Sequence, residues 1–242
     1  MSTRYVYLFA GAMTVVAAGL LAGLRTVTED IAKQNEDIFN KRAILSAVAD
    51  PLAEQGLDPS VMSGEEVLQF FEENVVSMAV SADSGEPIDG ITADSIDFVA
   101  EIRKPLEEQR LPLYKMDISG DNYTVLFLRG NGLWDAIWGN IALSPDLNTI
   151  AGVTFDHAAE TAGLGARIKD DAKWVAQWKG EQIYNDENLV GIRVVKGGAL
   201  ADDIHAVDGL TGATITADGV EAMLDKGLAA YQAFLNNSRQ TK

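Results

Sequence analysis

The strongest constraint on this chain is an uncharged apolar run at residues 5–24, bracketed by Arg4 and Arg25. A helix rises about 1.5 Å per residue, so a run of this length spans about 30 Å, the thickness of a bilayer's hydrocarbon core. A helix also bonds its backbone groups internally, as lipid requires. The run therefore predicts a transmembrane anchor over residues 1–25.

A cleaved signal peptide is the alternative interpretation of this run. Signal peptides usually have an apolar region of about 7–15 residues that ends in small residues of the Ala-x-Ala type. The run here is longer, and the next segment, RTVTED at residues 25–30, is a poor cleavage site. Arg4 and the amino terminus are positive, so the positive-inside rule favours a cytoplasmic N-terminus and a main domain outside the cytoplasm.

The composition excludes several classes of function. The net charge of −17 opposes nucleic-acid binding, because phosphates attract Lys and Arg. The sequence has no cysteine, which excludes disulfides, thiolate-bound iron–sulfur clusters and a catalytic thiol. Its two histidines, His157 and His205, are too few for a His-rich metal site. We expect no metal site and no catalytic side chain in this chain.

Apolar periodicity predicts the helices. Residues 28–48 have helical spacing, and Pro51 is expected to end that helix. Ser63 and Glu66 form a capping-box pattern ahead of the apolar run 67–76, which predicts a short helix. Residues 169–177 suggest another short helix, and a clear apolar stripe from Val220 to Leu235 predicts a long final helix.

Branched and aromatic residues predict a strand-rich middle of the chain. The expected strands are residues 113–118, 123–128, 138–143, 150–155 and 191–196. Residues 120–122 read as the turn of a hairpin. The fold class is therefore α+β, an antiparallel sheet with flanking helices behind one transmembrane helix. We divide the chain into an anchor (1–25), a helical linker with the start of the soluble domain (26–111), and an α+β domain (112–242).

A short motif before the final helix carries the chemistry. In Thr211-Gly212-Ala213-Thr214, two small residues allow a bulky group to approach the backbone, and Thr214 offers a hydroxyl. Thr216 is a plausible N-cap of the helix. A helix N-terminus presents unpaired N–H groups and partial positive charge, which suit a phosphate. On these residues alone, a capped helix with a small-residue turn is the favoured interpretation of the motif.

This motif resembles the [Ser/Thr]-Gly-Ala-Thr flavinylation motif of the FMN-binding domain family. The resemblance implies covalent FMN on the last Thr through a phosphoester, attached by a flavin transferase that uses FAD as donor. Further segments are similar to the C subunit of sodium-translocating NADH:quinone oxidoreductases. They are GNGLW at 130–134, ETAGLG at 160–165, WVAQW at 174–178 and VVKGGA at 194–199. One departure is Ala162, where that family usually has Pro.

The resemblance implies an electron-transfer subunit of a sodium-pumping translocase. Its FMN would relay electrons from an iron–sulfur centre to another flavin, and ubiquinone would finally be reduced. The implied partners are the other membrane subunits of a six-subunit complex, notably B, D and E, together with the flavin transferase. The implied location is the bacterial inner membrane, single-pass, with a periplasmic domain. The alternatives are the G subunit of the related ferredoxin:NAD oxidoreductase complex, an anchored FMN-binding sensory or scaffold module, and an acidic domain without flavin.

The expected site residues form four groups, all implied by the resemblance. Thr214 is the attachment point, and Thr211, Gly212, Ala213 and Thr216 surround the phosphate. Glu160, Thr161, Gly163, Leu164 and Gly165 form a loop at the flavin ring. Leu133 and Trp134 form a second wall, and Lys196 is a counter-charge. Against this, a tryptophan is more often a core or interface residue, and Lys196 is equally a solvated residue after a strand.

Overall fold

The first element is one long helix, α1 (Thr3–Ser46). The computed structural model describes residues 2–240 and divides into two compact units, Met1–Lys41 and Arg42–Lys242. Among the described residues, α1 is the one helix long and apolar enough to cross a membrane. The predicted anchor and the predicted helix at 28–48 therefore belong to the same uninterrupted helix. The hydroxyls of Thr14, Thr26 and Thr28 bond to carbonyls four residues back, which hides their polarity.

The second unit begins with the end of α1 and two further helices. Helix α1 ends at Ser46, two residues before the predicted end at Val48. Pro51 does not end it, and lies instead in the first turn of the next helix, α2 (Ala49–Glu54). Proline is tolerated there, since the first turn needs no internal N–H donor. Helix α3 (Gly64–Asn74) has the predicted capping box: Ser63 and Glu66 exchange side-chain to backbone bonds of 3.2 and 2.6 Å.

A five-stranded antiparallel sheet confirms the predicted fold class. Its strands are β1 (Val75–Ser81), β2 (Arg110–Ile118), β3 (Asp121–Asn131), β4 (Ala136–Leu143) and β5 (Ile150–His157), and they pair in sequence order. Four of them match the predicted strands. The first, β1, occupies residues that the apolar run 67–76 had assigned in part to a helix.

The turn between β2 and β3 begins one residue earlier and ends two residues earlier than predicted. Ile118 pairs with Asp121, so Ser119 and Gly120 form the loop, and both have positive φ angles of 58° and 93°. This is the pattern of a two-residue type I′ hairpin. The hairpin is confirmed, but the predicted turn at 120–122 is wrong because Asp121 and Asn122 already belong to β3.

Short elements lie between the longer ones. Helix α4 (Phe98–Glu101) lies between β1 and β2. The elements between β5 and the last helix are α5 (Arg167–Asp170), α6 (Ala172–Ala176), β6 (Tyr184–Asn185), β7 (Asn188–Leu189), β8 (Arg193–Val195) and β9 (Ala206–Asp208). The single helix predicted at 169–177 is therefore two, and the strand predicted at 191–196 pairs in parallel with β9 outside the main sheet. The rings of Phe155, Trp174 and Trp178 pack against one another in tilted and edge-to-face pairs, with centroids 5.1–5.6 Å apart.

The final helix, α7 (Thr214–Gln240), covers the sheet and closes the core. Its apolar stripe is buried, as predicted. It lies close to β3: a Cβ at Gly130 would stand 2.7 Å from Met223 Cβ. Tyr231, also buried, donates its hydroxyl proton to the carbonyls of Pro112 and Phe127, so the helix is bonded to two strands.

A buried ion cluster orders the loop ahead of β2. Glu101 is 1% exposed and accepts bonds from Lys104 Nζ at 2.8 Å and from Arg110 N at 3.1 Å. Arg110 also bonds the same carboxylate through its guanidinium. Burial alone would raise the pKa of Glu101, but these donors outweigh it and lower the pKa to about 2.

We expect Glu101 to make the domain sensitive to acid. A carboxylate with a depressed pKa contributes stability above its unfolded pKa, and this stability is lost as the pH falls toward the folded value. The wild type should therefore exceed Glu101→Gln in free energy of unfolding at pH 7, by at most about 3 kcal/mol. The difference should shrink between about pH 5 and pH 2. Urea titrations at several pH values measure it, and a difference independent of pH would contradict the assignment.

Candidate functional site

Thr214 is the first residue of α7 and is half-buried. The amide of Ala217 donates to the Ala213 carbonyl at 3.0 Å, which is the first bond of the helix ladder. The amides of Thr214, Ile215 and Thr216 precede that bond and form the positive end of the helix. The prediction that Thr216 is the N-cap is therefore wrong, because the helix begins two residues earlier.

Two features of the structure require glycine at position 212 of the motif: its backbone conformation and the nearby side chain of Leu164. Gly212 has a φ of +84°, in the left-handed region that side chains other than glycine rarely adopt. A Cβ at Gly212 would also stand 3.2 Å from the side chain of Leu164. The predicted ring loop at 160–165 and the predicted phosphate motif are thus neighbours in space.

Glu160 joins the three predicted segments of the site. Its side chain is buried, and its Oε2 accepts the hydroxyl proton of Thr216 at 2.6 Å. Its Oε1 accepts the amide proton of Trp134 at 3.0 Å. A Cβ at Gly132 or Gly165 would stand 2.4 or 2.1 Å from these oxygens. The glycines on either side therefore make room for a carboxylate of the protein.

The electrostatics of Glu160 follow from its donors. Burial would raise its pKa, but the Thr216 hydroxyl and the amides of Trp134 and Leu133 outweigh burial, and His157 adds to their effect. The pKa of Glu160 is thereby held below its usual range. At neutral pH the centre of this site carries a fixed negative charge.

Several large apolar side chains in the segments around the motif are exposed. Trp134 is 68% exposed, and its indole N–H donates to the Thr161 hydroxyl at 3.2 Å. Leu133, Leu164 and Ile215 are also exposed. A planar aromatic group could lie against such a surface, while its phosphate meets the positive end of α7. These residues therefore fit an FMN.

Two cations lie near the motif, one predicted and one missed. Lys196 is exposed, and its backbone lies beside Gly209, five residues before Thr214. The missed residue is Arg167, which donates to the Thr211 carbonyl at 3.3 Å and forms an ion pair with Asp171 at 2.6 Å. Its only signal in the sequence is its position two residues after the GLG turn.

A family model supports the class that this site defines. Residues 132–229 match the FMN-binding domain family, and they include the Trp134 loop, the 160–165 loop and the start of α7. The antiparallel sheet, the closing helix and this cluster together define an FMN-binding domain.

Curated relatives narrow the class to one family. Over 99% of its length the chain is 31% identical to the C subunit of the Na⁺-translocating NADH-quinone reductase of Pseudomonas aeruginosa, of which it covers 97%. It is 34% identical to the C subunit from Yersinia pestis, over 86% of the chain and 80% of that protein. The chain belongs to the C-subunit family of the Na⁺-translocating NADH-quinone reductases.

Solved structures agree with this assignment. The crystal structure of the C subunit from Parabacteroides distasonis superposes with a TM-score of 0.72 at 30% identity, covering 86% of this chain and 96% of that one. The NqrC protein of Shewanella oneidensis gives a TM-score of 0.71 at 29% identity, covering 86% and 99%.

Proposed function

We propose that this protein is the FMN-carrying C subunit of a Na⁺-translocating NADH-quinone reductase, with FMN esterified to Thr214. One observation carries the proposal. The Thr214 hydroxyl stands at the positive end of α7, next to the left-handed turn at Gly212, inside the segment that matches the FMN-binding domain family. That position favours a phosphate and leaves room for its attachment.

The attachment is a phosphoryl transfer that balances without a redox step. With FAD as donor, the Thr214 hydroxyl oxygen attacks the phosphorus on the riboflavin side. A new oxygen–phosphorus bond forms, the pyrophosphate bond breaks, AMP leaves, and the hydroxyl proton passes to solvent or to a base of the flavin transferase. The product keeps one negative charge on its phosphate, next to the amides of the first turn.

The other site residues would bind and orient the cofactor. Thr211, Gly212, Ala213 and Thr216 shape the phosphate end, and Arg167 or Lys196 supplies positive charge. Leu133, Trp134 and Leu164 would cover the ring, and the loop of Thr161, Gly163 and Gly165 would hold Leu164 in place. A covalent bond retains the cofactor even though the surface around it is open.

Bound FMN would supply the redox chemistry, while the domain fixes its position. We propose that it relays electrons from an iron–sulfur centre in other membrane subunits to a flavin of the B subunit, within a complex that also contains the D and E subunits. Helix α1 would anchor the chain in the bacterial inner membrane, and the charge of Arg4 favours a periplasmic domain. The names of the relatives favour this C subunit over the G subunit of the ferredoxin:NAD oxidoreductase.

Two measurements test the proposal. Protein made together with a flavin transferase should fluoresce on a denaturing gel under ultraviolet light, and its intact mass should exceed that of the polypeptide by one FMN less water. When purified from its own membranes, the protein should copurify with five further subunits. The purified complex should reduce quinone, and sodium should stimulate this activity. A bare polypeptide mass would overturn the flavin assignment. Covalent flavin without those subunits would instead favour a sensory or scaffold module.

A further inference from the structure

We propose that Glu160 is the positioning residue of this site. Its buried carboxylate holds the start of α7 and the Trp134 loop in one arrangement, and its charge lowers the reduction potential of the cofactor. The first part concerns the polypeptide alone, and the second rests on the proposed function.

The bonds of Glu160 show that it acts through its neighbours. The residue is 7% exposed, and both carboxylate oxygens are engaged within the protein, one with Thr216 and one with the Trp134 amide. Thr216 is itself buried and lies two residues after Thr214. The carboxylate therefore fixes the first turn of α7, and with it the backbone position of Thr214.

The glycines on either side show that the carboxylate is built into the site. Any side chain at Gly132 or Gly165 would overlap the carboxylate oxygens, and a Cβ at Gly165 would also stand 2.7 Å from the Thr216 hydroxyl. Helix α7 also lies directly on the start of the β3–β4 turn, because a Cβ at Gly219 would stand 2.4 Å from the carbonyl oxygen of Asn131. The Trp134 loop, the 160–165 loop and the start of α7 therefore pack closely together around the Glu160 carboxylate.

The charge of Glu160 has a predictable effect on a nearby redox group. A fixed negative charge at a partly buried site disfavours the gain of an electron by its neighbour. The titratable side chain bonded directly to Glu160 is His157, whose Nδ1 accepts the Glu160 amide proton at 3.1 Å. Removing the negative charge while keeping the bonds should therefore raise the reduction potential.

Three variants separate the bonds from the charge. Glu160→Gln keeps both bonds, because the amide oxygen can accept from Trp134 while the amide nitrogen donates to the Thr216 hydroxyl. Glu160→Ala removes bonds and charge together. Thr216→Val removes one bond and keeps the charge. Glu101→Gln is the control, since it neutralises a buried carboxylate that bonds Lys104 and Arg110.

Hydrogen exchange of the full-length protein without flavin tests the first part. The Trp134 amide should exchange faster in Glu160→Ala than in the wild type, and at the wild-type rate in Glu160→Gln. The increase in Glu160→Ala should also exceed that in Glu101→Gln, which lowers the stability of the whole domain through bonds outside this loop. Wild-type protection of this amide in Glu160→Ala would overturn the proposal. If Glu160→Ala does not fold, faster exchange of the residues at the start of α7 in Thr216→Val supports the proposal, and unchanged exchange overturns it.

Flavin loading and redox titration test the second part. The rate at which the transferase loads Glu160→Ala should fall by about 10²-fold, the effect of a displaced reacting group. Glu160→Gln should load at close to the wild-type rate, and its flavin should have a higher midpoint potential than the wild type. An unchanged potential would overturn the electrostatic part. Failure of the wild type itself to load would contradict the proposed function, and the exchange result would still decide the positioning role.

Discussion

Replacing Thr214 by alanine should abolish the covalent flavin completely while the domain stays folded. The substitution removes the single oxygen that the phosphoester requires, and alanine is compatible with the first residue of a helix. Thr214 is half-buried, so little packing is lost. After coexpression with the flavin transferase, the gel band should lose its fluorescence and the mass should equal that of the bare chain.

Two matched variants control this result. Thr214→Ser keeps a hydroxyl at the same position and should retain the flavin. Thr211→Ala removes the other hydroxyl of the motif, on an exposed residue, and should also retain the flavin. Circular dichroism should show the same helix content in all three. Fluorescence that persists in Thr214→Ala and disappears in Thr211→Ala would move the attachment to Thr211.

The largest loss of stability should follow from Gly85→Ala. Gly85 has a φ of +71°, and a Cβ there would stand 2.3 Å from the Phe234 amide nitrogen in the backbone of α7. Backbone cannot move aside as the end of a flexible side chain can. The strain of the left-handed conformation, about 1–2 kcal/mol, then adds to overpacking of about 1–3 kcal/mol. Denaturation in urea should show a loss of about 2–5 kcal/mol.

Gly90→Ala is the matched control for this prediction. Gly90 has nearly the same φ, +74°, but nothing lies within 4 Å of its would-be Cβ. It should therefore cost only the conformational strain, about 1–2 kcal/mol. Equal losses of unfolding free energy in the two variants would show that the close contact between Gly85 and α7 does not contribute to the cost of Gly85→Ala.

Features set by neighbouring residues could be predicted from the sequence. The capping box at Ser63 and Glu66 and the apolar stripe of α7 depend on contacts within one or two turns, and both are confirmed. The start of β1 could not be placed, because apolar residues occur on both sides of Val75 and the change from helix to strand there depends on pairing with β2. The turn at Ser119 was misplaced because serine rarely adopts a positive φ.

The sequence motifs of the site could be predicted, but the hydrogen bonds between distant segments could not. The motif around Thr214 is a local pattern, and its position at the start of a helix is confirmed. The burial of Glu160 could not be predicted, because its partners are contributed by residues 26 and 56 positions away. Arg167 was missed for the same reason, since its bond to Thr211 spans 44 positions. The glycines of these loops signal close packing, but the sequence does not tell what they pack against.

Helix α7 begins at the proposed attachment residue and also closes the core through Tyr231 and Leu235. An anion added to its first turn interacts favourably with the positive end of the helix, by about 0.3–1 kcal/mol. Because the same helix covers the sheet, that gain would belong to the whole domain. Chains that carry the flavin would then unfold less often than chains without it, and proteases would degrade the flavin-free chains first.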